Sequence, residues 1–391
     1  MPRARAASIP PDEIPPPAVV AVLETAGLRY SSDRDAGIKR EGESGTFRYR
    51  AADGSAVSDE KTHARIAQLA IPPAWTDVWI CADPLGHLQA TGRDARGRKQ
   101  YRYHARWRDE RDSNKFERLP TFARALPRIR AAIARDLALP GLPRAKVLAA
   151  MVALLDRTFV RVGDDRYRKA NGSYGLTTLR NKHVEVQGER IRIRFRGKSG
   201  KDHDIALSDK RLANIVRRCR DLPGYELFQY VEDGVVHRVD AHDVNAYLKA
   251  AAGVDYSAKD FRTWGATVIA TNALAKAAQP RTDRERTRTL NSAIREAAAT
   301  LGNTLAVCRK SYVHPDVLDC AQVAESAGHQ ARRIAGLTAD ERRVLCVLEA
   351  ALRQRRCQQD LGRMLRKSRA ARRLPARLPP PKPREPVRVR A

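Results

Sequence analysis

The stretch Lys146-Val-Leu-Ala-Ala-Met-Val-Ala-Leu-Leu-Asp-Arg-Thr-Phe-Val-Arg-Val-Gly163 runs from a helical pattern directly into an arginine. Its larger apolar residues recur every three or four positions, which predicts one face of a packed helix: Val147, Leu148, Met151, Val152, Leu155 and Phe159. Arg161 follows two residues after the last of these. We therefore expect a helical core that presents a guanidinium group at or just past one helix end.

A small β-sheet is predicted after this helix, over about residues 183–207, because apolar and polar residues alternate there. Two turn signals divide the strands, Gln187-Gly-Glu189 and Gly197-Lys-Ser-Gly200. The second turn places Lys198 at the tip of a hairpin. Such a tip can reach into a groove or move when a substrate binds.

Four segments, with an α+β organisation, are predicted for the whole chain. Residues 1–18 contain several prolines and are typical of a disordered tail. Residues 19–108 predict a small β-rich domain, with Thr76-Asp-Val-Trp-Ile80 as one of its strands. A larger, mainly α-helical domain is expected over 109–368. The basic, Pro/Arg-rich residues 369–391 predict a second disordered tail.

Local signals support this division. A Pro-Leu-Gly turn separates the strand at 76–80 from a second strand candidate, His87-Leu-Gln-Ala-Thr91. Helical patterns dominate from Ala241 onward. Thr338 and Glu341 have the spacing of a capping box, so we expect a helix to begin there and to extend over 342 to about 366.

Composition indicates a polyanionic partner. The chain has 391 residues, with 74 Lys and Arg against 45 Asp and Glu, so its formal charge is 74 − 45 = +29. Such an excess favours phosphate contacts and counterion release. A basic packaging protein fits the charge equally well, because charge carries no information about catalysis.

Other features of the composition restrict the compartment. The six cysteines form no Cys-x-x-Cys pair, which argues against structural zinc and suits a reducing cytosol. No apolar run is long enough to cross a membrane, and the basic N-terminus lacks the apolar core of a signal peptide. We expect a cytoplasmic protein that associates with the nucleoid and not with membranes.

Four short runs carry the residue types that phosphodiester transfer requires. Guanidinium groups can grip two phosphate oxygens at once, a lysine can protonate a leaving oxygen, and a tyrosine can attack phosphorus. The runs are Thr158-Phe-Val-Arg-Val-Gly163, Arg196-Gly-Lys198, Lys259-Asp-Phe-Arg-Thr-Trp-Gly265 and Leu301-Gly-Asn-Thr-Leu-Ala-Val-Cys-Arg-Lys-Ser-Tyr312. Gly197-Lys-Ser199 also resembles the end of a P-loop, but Arg192 stands where the first glycine is needed, so nucleotide binding gains little support.

In residues and order, these runs resemble the active-site segments of type IB DNA topoisomerases, closest to the small poxvirus-like enzymes of bacteria. The resemblance implies that Tyr312 attacks the phosphate and becomes joined to the 3′ end of the cut strand. It implies that Arg161 and Arg262 clamp the phosphate and that Lys198 protonates the departing 5′ oxygen. Asn303 stands where many members have histidine, and its amide can donate the same hydrogen bond without charge.

The N-terminal region carries the same resemblance. Ile71-Pro-Pro-Ala-Trp-Thr-Asp-Val-Trp-Ile80 and Gly92-Arg-Asp-Ala-Arg-Gly-Arg-Lys-Gln-Tyr-Arg-Tyr103 resemble segments of the family's first domain. Interleaved basic and aromatic residues suit a strand laid against DNA. An ordinary amphipathic strand with a solvated basic face would have the same pattern. The resemblance implies DNA contacts from four further residues: Gln100, Tyr101, Tyr103 and Tyr167.

The family's architecture and activity are then the expectation for this chain. A small β-rich domain and a mainly helical catalytic domain of the tyrosine recombinase/type IB topoisomerase type would form a clamp around double-stranded DNA. The protein would act as a monomer and relax supercoils by transient single-strand cleavage, without ATP, metal or other cofactor. Two alternatives stay open: a tyrosine recombinase, which has histidine where Lys259 stands here, and a non-enzymatic packaging protein.

Overall fold

The computed structural model of this protein describes residues 17–95, 97–278, 280–319 and 333–372. Nearly all of the two predicted tails therefore lies outside the described residues. The described N-terminal part contains a five-stranded antiparallel sheet in the order β2-β1-β3-β4-β5. The strands are β1 Gly37–Glu41, β2 Arg48–Arg50, β3 Thr76–Cys81, β4 Leu88–Arg93 and β5 Lys99–Tyr103, and the helices of this region are α1 Pro17–Ala26 and α2 Glu60–Gln68.

The N-terminal sheet has an apolar core of its own. Ile38, Val78, Ile80 and Ala90 from three strands pack with Ile66 of α2. The two strands predicted from the sequence are confirmed as β3, which is one residue longer than predicted, and β4, which is shifted by one or two residues. Both are buried along most of their length, because α2 covers one face of the sheet and Trp79, Cys81 and Leu88 form a second apolar cluster on the other.

A helical body follows the sheet. The helices that precede the run Lys259–Gly265 are α3 Ala105–Glu117, α4 Leu119–Leu137, α5 Arg144–Thr158, α6 Asp165–Asn171, α7 Lys210–Arg220 and α8 Ala241–Ala252. Those that follow are α9 Ala258–Lys276, α10 Asp283–Leu301, α11 Leu305–Ser311, α12 Pro315–Asp319 and α13 Ala339–Arg372. This mixture of a small N-terminal sheet region and a mainly helical body confirms the predicted fold class.

Helix α5 is the centre of the largest apolar cluster. The sequence predicted one apolar face, but every residue from Lys146 to Leu155 is buried. The alanines between the larger residues allow α4 and α8 to pack closely on the other sides. The prediction of a one-sided helix was therefore too narrow.

The predicted small sheet is confirmed as three antiparallel strands, β6 Val184–Gln187, β7 Arg190–Arg196 and β8 Asp202–Ser208. Ile191, Ile193 and Phe195 alternate inward from β7. The single turn Lys198–Gly200 joins β7 to β8 and puts Lys198 at the hairpin tip, as predicted. A further hairpin, β9 Gln229–Glu232 and β10 Val235–Arg238, was not predicted.

The last described helix, α13, is tied to the core by a buried ionic cluster. The predicted capping box is present, because Thr338 and Glu341 exchange backbone-to-side-chain hydrogen bonds of 2.8 and 3.2 Å. Arg130 forms ion pairs with Glu341 at 2.7 Å and with Asp156 at 2.8 Å. Among the described residues, no helix is both long and apolar enough to cross a membrane.

Candidate active site

Arg161 lies on an extended segment whose backbone is held by the turn at the end of α5 and by contacts with the chain at residues 175–176. Helix α5 ends at Thr158 and is capped by Phe159, whose left-handed backbone (φ 54°) turns the chain sharply. The carbonyl of Arg161 then accepts a 2.9 Å hydrogen bond from the N–H of Leu176. A Cβ on Gly175 would lie 2.5 Å from the Cα of Gly163, so only glycine allows this approach of two backbones.

Arg262 lies in the second turn of α9, and only 4% of its surface is exposed. Its guanidinium donates to the carbonyl of Phe159 and, at 2.8 Å, to that of Leu301. These bonds connect the end of α5 to the end of α10. Burial, followed by repulsion from Arg161, lowers the pKa of Arg262 to about 10. The group therefore still carries its charge at neutral pH.

Asn303 follows the left-handed Gly302 (φ 63°) that ends α10. Its Oδ1 accepts a 2.6 Å hydrogen bond from Nη2 of Arg161. Since arginine can only donate, this bond fixes which side of the amide is oxygen. Three buried donors then have no partner within the described part of the chain: Arg161 Nη1, Arg262 Nε and Asn303 Nδ2.

Tyr312 stands at the C-terminal end of α11, beside Arg262. The guanidinium carbon of Arg262 lies 5.2 Å from the centre of the tyrosine ring. Burial acts to raise the pKa of Tyr312, but the positive charges of Arg262 and then Arg161 outweigh it and bring the pKa below its ordinary value. The phenol is thus in surroundings that favour its anionic form.

Lys198 faces the same cleft from the hairpin between β7 and β8. Its Nζ lies 5.5 Å from the centre of the Tyr167 ring. A cleft of about 580 Å³ is lined by both of these residues together with Arg161, Arg262 and Tyr312. The structure therefore brings together the predicted tyrosine, lysine and arginines from segments that are far apart in sequence, and Asn303 joins them through Arg161.

Sequence reasoning missed two residues of this neighbourhood, Lys115 and His203. Lys115 lines the cleft, as does Lys259, which the sequence singled out because a recombinase has histidine there. His203 lies on β8, and its ring is close to Gly302. Burial and then the charges of Arg161 and Arg262 keep the pKa of His203 below its ordinary value. One signal was available, because His203 is in phase with the inward Ile205 and Leu207 of an alternating strand.

The predicted DNA contacts of the N-terminal sheet lie outside this cleft. Tyr101 is 47% exposed and stacks on Tyr103, with 6.1 Å between ring centres. Gln100 donates a 2.9 Å hydrogen bond to Asp94. The neighbouring Arg98 donates a 2.9 Å bond to Asn171 of α6, so the sheet touches the helical body near Tyr167. No group of three or more potential metal-binding side chains occurs in the described ranges.

Comparison with known proteins gives matches over most of the chain. Residues 104–335 match the family model for the eukaryotic DNA topoisomerase I catalytic core. Residues 46–94 match that for the bacterial DNA topoisomerase IB N-terminal domain. The DNA topoisomerase 1B of Acanthamoeba polyphaga mimivirus is 35% identical over 294 residues, covering 73% of this chain and 88% of the viral protein. The DNA topoisomerase 1B of vaccinia virus strain Western Reserve is 24% identical, covering 67% and 83%.

Proposed function

The chain belongs to the type IB DNA topoisomerase family, and we propose that it relaxes supercoiled duplex DNA through a covalent bond between Tyr312 and the 3′ phosphate of one cut strand. The observation that carries this assignment is the convergence of Tyr312 with two guanidinium groups in one cleft. The two positive charges favour the phenolate, which is the attacking species.

The scissile phosphate would take the unpaired donors of the site. Arg161 Nη1, Arg262 Nε and Asn303 Nδ2 are buried and lack partners among the described residues. Burial of such groups costs free energy unless a ligand satisfies them. A phosphate oxygen would accept these bonds, and the arginines would stabilise the extra negative charge of the transition state. This is electrostatic work that many phosphoryl-transfer enzymes assign to a metal.

Proton movement completes the proposed reaction. The bond from the Tyr312 oxygen to phosphorus forms as the bond from phosphorus to the 5′ oxygen breaks. The phenol gives up its proton to solvent water, and Lys198 supplies a proton to the departing oxygen. Religation reverses each step. Since the phosphodiester energy is kept in the phosphotyrosyl bond, no nucleotide is needed.

Contacts with DNA outside the cleft would come from both parts of the molecule. We assign them to a β-rich domain over 19–108 and a catalytic domain over 109–368. The exposed ring of Tyr101, with Lys99 Nζ 5.7 Å from its centre, supports a role for β5 beside the duplex. The predicted contacts are Gln100, Tyr101, Tyr103 and Tyr167. One chain carries every proposed catalytic group, so we expect a monomer to suffice.

A plasmid relaxation assay in EDTA and without ATP tests the proposal. The parent protein should remove supercoils and form a denaturant-resistant adduct with DNA. Tyr312→Phe should lose both activities and keep DNA binding, because only the attacking oxygen is removed. Tyr225→Phe is the matched control, since Tyr225 is 77% exposed and stands outside the cleft.

The outcomes separate the alternatives. An adduct formed by Tyr312→Phe would show that another residue is the nucleophile. A packaging protein would bind plasmid without relaxing it. A recombinase would join two marked duplexes carrying its site, whereas a topoisomerase reseals the strand that it cut.

A further inference from the structure

His203 stands between two catalytic segments that are distant in sequence. It is half-buried on β8, directly opposite Phe195 of β7. The two rings stack with 4.8 Å between their centres and 8° between their planes. Phe195 is buried in the main apolar cluster. The imidazole is therefore supported from behind by the core.

The edge of the imidazole fills the space between two glycines. A Cβ built on Gly197 would lie 2.6 Å from Cδ2 of His203, and one on Gly302 would lie 2.7 Å from Cε1. Neither position can accept a side chain unless the ring moves. Gly197 immediately precedes Lys198, and Gly302 immediately precedes Asn303. The ring thus forms the contact between the lysine hairpin and the end of α10.

The two segments differ in how firmly they are held without His203. Asn303 is fixed by its bond to Arg161 and by a 2.9 Å backbone bond to the carbonyl of Ala298. Lys198 lies on a turn whose backbone bonds are internal, from Gly197 to Lys201 and from Gly200 to Gly197. Within the described part of the chain, Nζ of Lys198 contacts the ring of Tyr167. Removal of the imidazole ring of His203 should therefore displace Lys198 more than Asn303.

We propose that His203 is a positioning residue for DNA cleavage, whose ring holds the β7–β8 hairpin against Gly302 and so sets the place of Lys198 at the leaving oxygen. This inference rests on the proposed function and adds a residue to it. A flat and uncharged ring suits the place, because burial and then the charges of Arg161, Arg262 and Lys201 keep the pKa of His203 below its ordinary value, against the opposite effect of Asp202.

The test compares two substrates under single-turnover conditions. One oligonucleotide has an ordinary 5′ oxygen at the cleavage site, and the other has a 5′-bridging sulfur, which leaves without being protonated. His203→Ala should cleave the oxygen substrate roughly 10- to 100-fold more slowly, the range for a catalytic group displaced by about 1 Å. The sulfur substrate should be cleaved within about threefold of the parent rate, because it does not need the proton that Lys198 delivers.

Two variants serve as comparisons. His203→Phe keeps a flat ring that can stack on Phe195, and it should recover much of the lost rate on the oxygen substrate. Asp204→Ala, the neighbour on β8 that pairs with the exposed Arg192, should cleave both substrates at parental rates. The ratio of the two rates within one preparation is unaffected by the fraction of protein that is folded.

Specific results would overturn the inference. Equal slowing on both substrates would place the action of His203 on the phosphate clamps or on the general fold. Parental rates for His203→Ala on the oxygen substrate would remove any positioning role, and a Phe variant as slow as the Ala variant would exclude the shape of the ring as the cause. If the parent protein cleaved neither substrate, the proposed function itself would fail.

Discussion

At the scale of single residues, Asn303 shows how an uncharged donor is placed beside a cation. Its Oδ1 is committed to Arg161 at 2.6 Å, which turns its NH₂ group away from the guanidinium. That NH₂ is buried and has no partner in the described ranges. A histidine could present an N–H from the same place, but its protonation would add a third positive charge beside Arg161 and Arg262.

Substitutions of Asn303 should show whether cleavage depends on its hydrogen-bond donor or on the shape of its side chain. Asn303→Ala should weaken transition-state binding by roughly 1–3 kcal/mol, the value of one hydrogen bond to a charged oxygen. Asn303→Asp keeps the shape, but it replaces the donor by an anion and should be slower still. Asn303→His should retain substantial activity. Single-turnover cleavage rates measure all three, and a parental rate for the alanine variant would make Asn303 structural.

Single residues also show what could and could not be predicted from the sequence. The sequence motifs contain Tyr312, Lys198, Arg161 and Arg262, so the resemblance predicted that these side chains meet in one cleft. The place of His203 could not be predicted, because it depends on Gly302, about a hundred positions further along the chain. The alternation of β8 does not distinguish a histidine in the core from one that faces the turn carrying Lys198.

At the scale of secondary-structure elements, contacts between the ends of helices fix the geometry of the site. Arg262 of α9 donates to carbonyls at the ends of α5 and α10, so three helices meet on one side chain. The sequence predicted α5 from its spacing, but not that it would be buried on all sides, because alanine is compatible with both exposed and buried positions. The pair β9–β10 was missed because neither of its sequences, Gln-Tyr-Val-Glu and Val-Val-His-Arg, shows the apolar–polar alternation that revealed the small sheet.

Helices α12 and α13 introduce a sensitivity to acid. His314, which stands at the start of α12, is 4% exposed, and burial lowers its pKa to about 4, with Arg355 of α13 acting in the same direction and Asp316 against it. The folded protein thus keeps the ring neutral, whereas an unfolded histidine takes up a proton near pH 6.5. The free energy of unfolding should therefore fall as the pH drops from about 6.5 towards 4.

Urea unfolding at pH 7 and pH 5 checks this expectation. The parent protein should lose more stability between the two values than His314→Gln, which has no group that titrates there. Replacement of the solvent-exposed His63 by Gln is the matched control and should leave the difference unchanged. Identical losses in parent and His314→Gln would mean that other groups cause the acid sensitivity.

At the scale of the whole molecule, net positive charge should govern the affinity of the protein for DNA. Residues 373–391 lie outside the described residues and contain six Lys and Arg against one Glu, so they contribute 6 − 1 = +5 of the formal +29. Truncation after Arg372 should leave cleavage chemistry intact and weaken DNA binding. The slope of log affinity against log salt should become shallower, because fewer counterions are released.

A tail of equal length with its six basic residues changed to glutamine separates charge from length. It should bind like the truncated protein. An unchanged salt dependence in both variants would mean that the tail does not contact DNA.

The separate apolar core of the N-terminal sheet has a consequence for cooperativity. Ile38, Ile66, Val78, Ile80 and Ala90 form a cluster distinct from the one around α5. Units with their own cores melt independently unless a large interface couples them. Scanning calorimetry should therefore resolve two heat-absorption peaks for the free protein. Duplex DNA, which we propose binds to both units, should raise both peaks and draw them together, because a shared ligand links their unfolding equilibria.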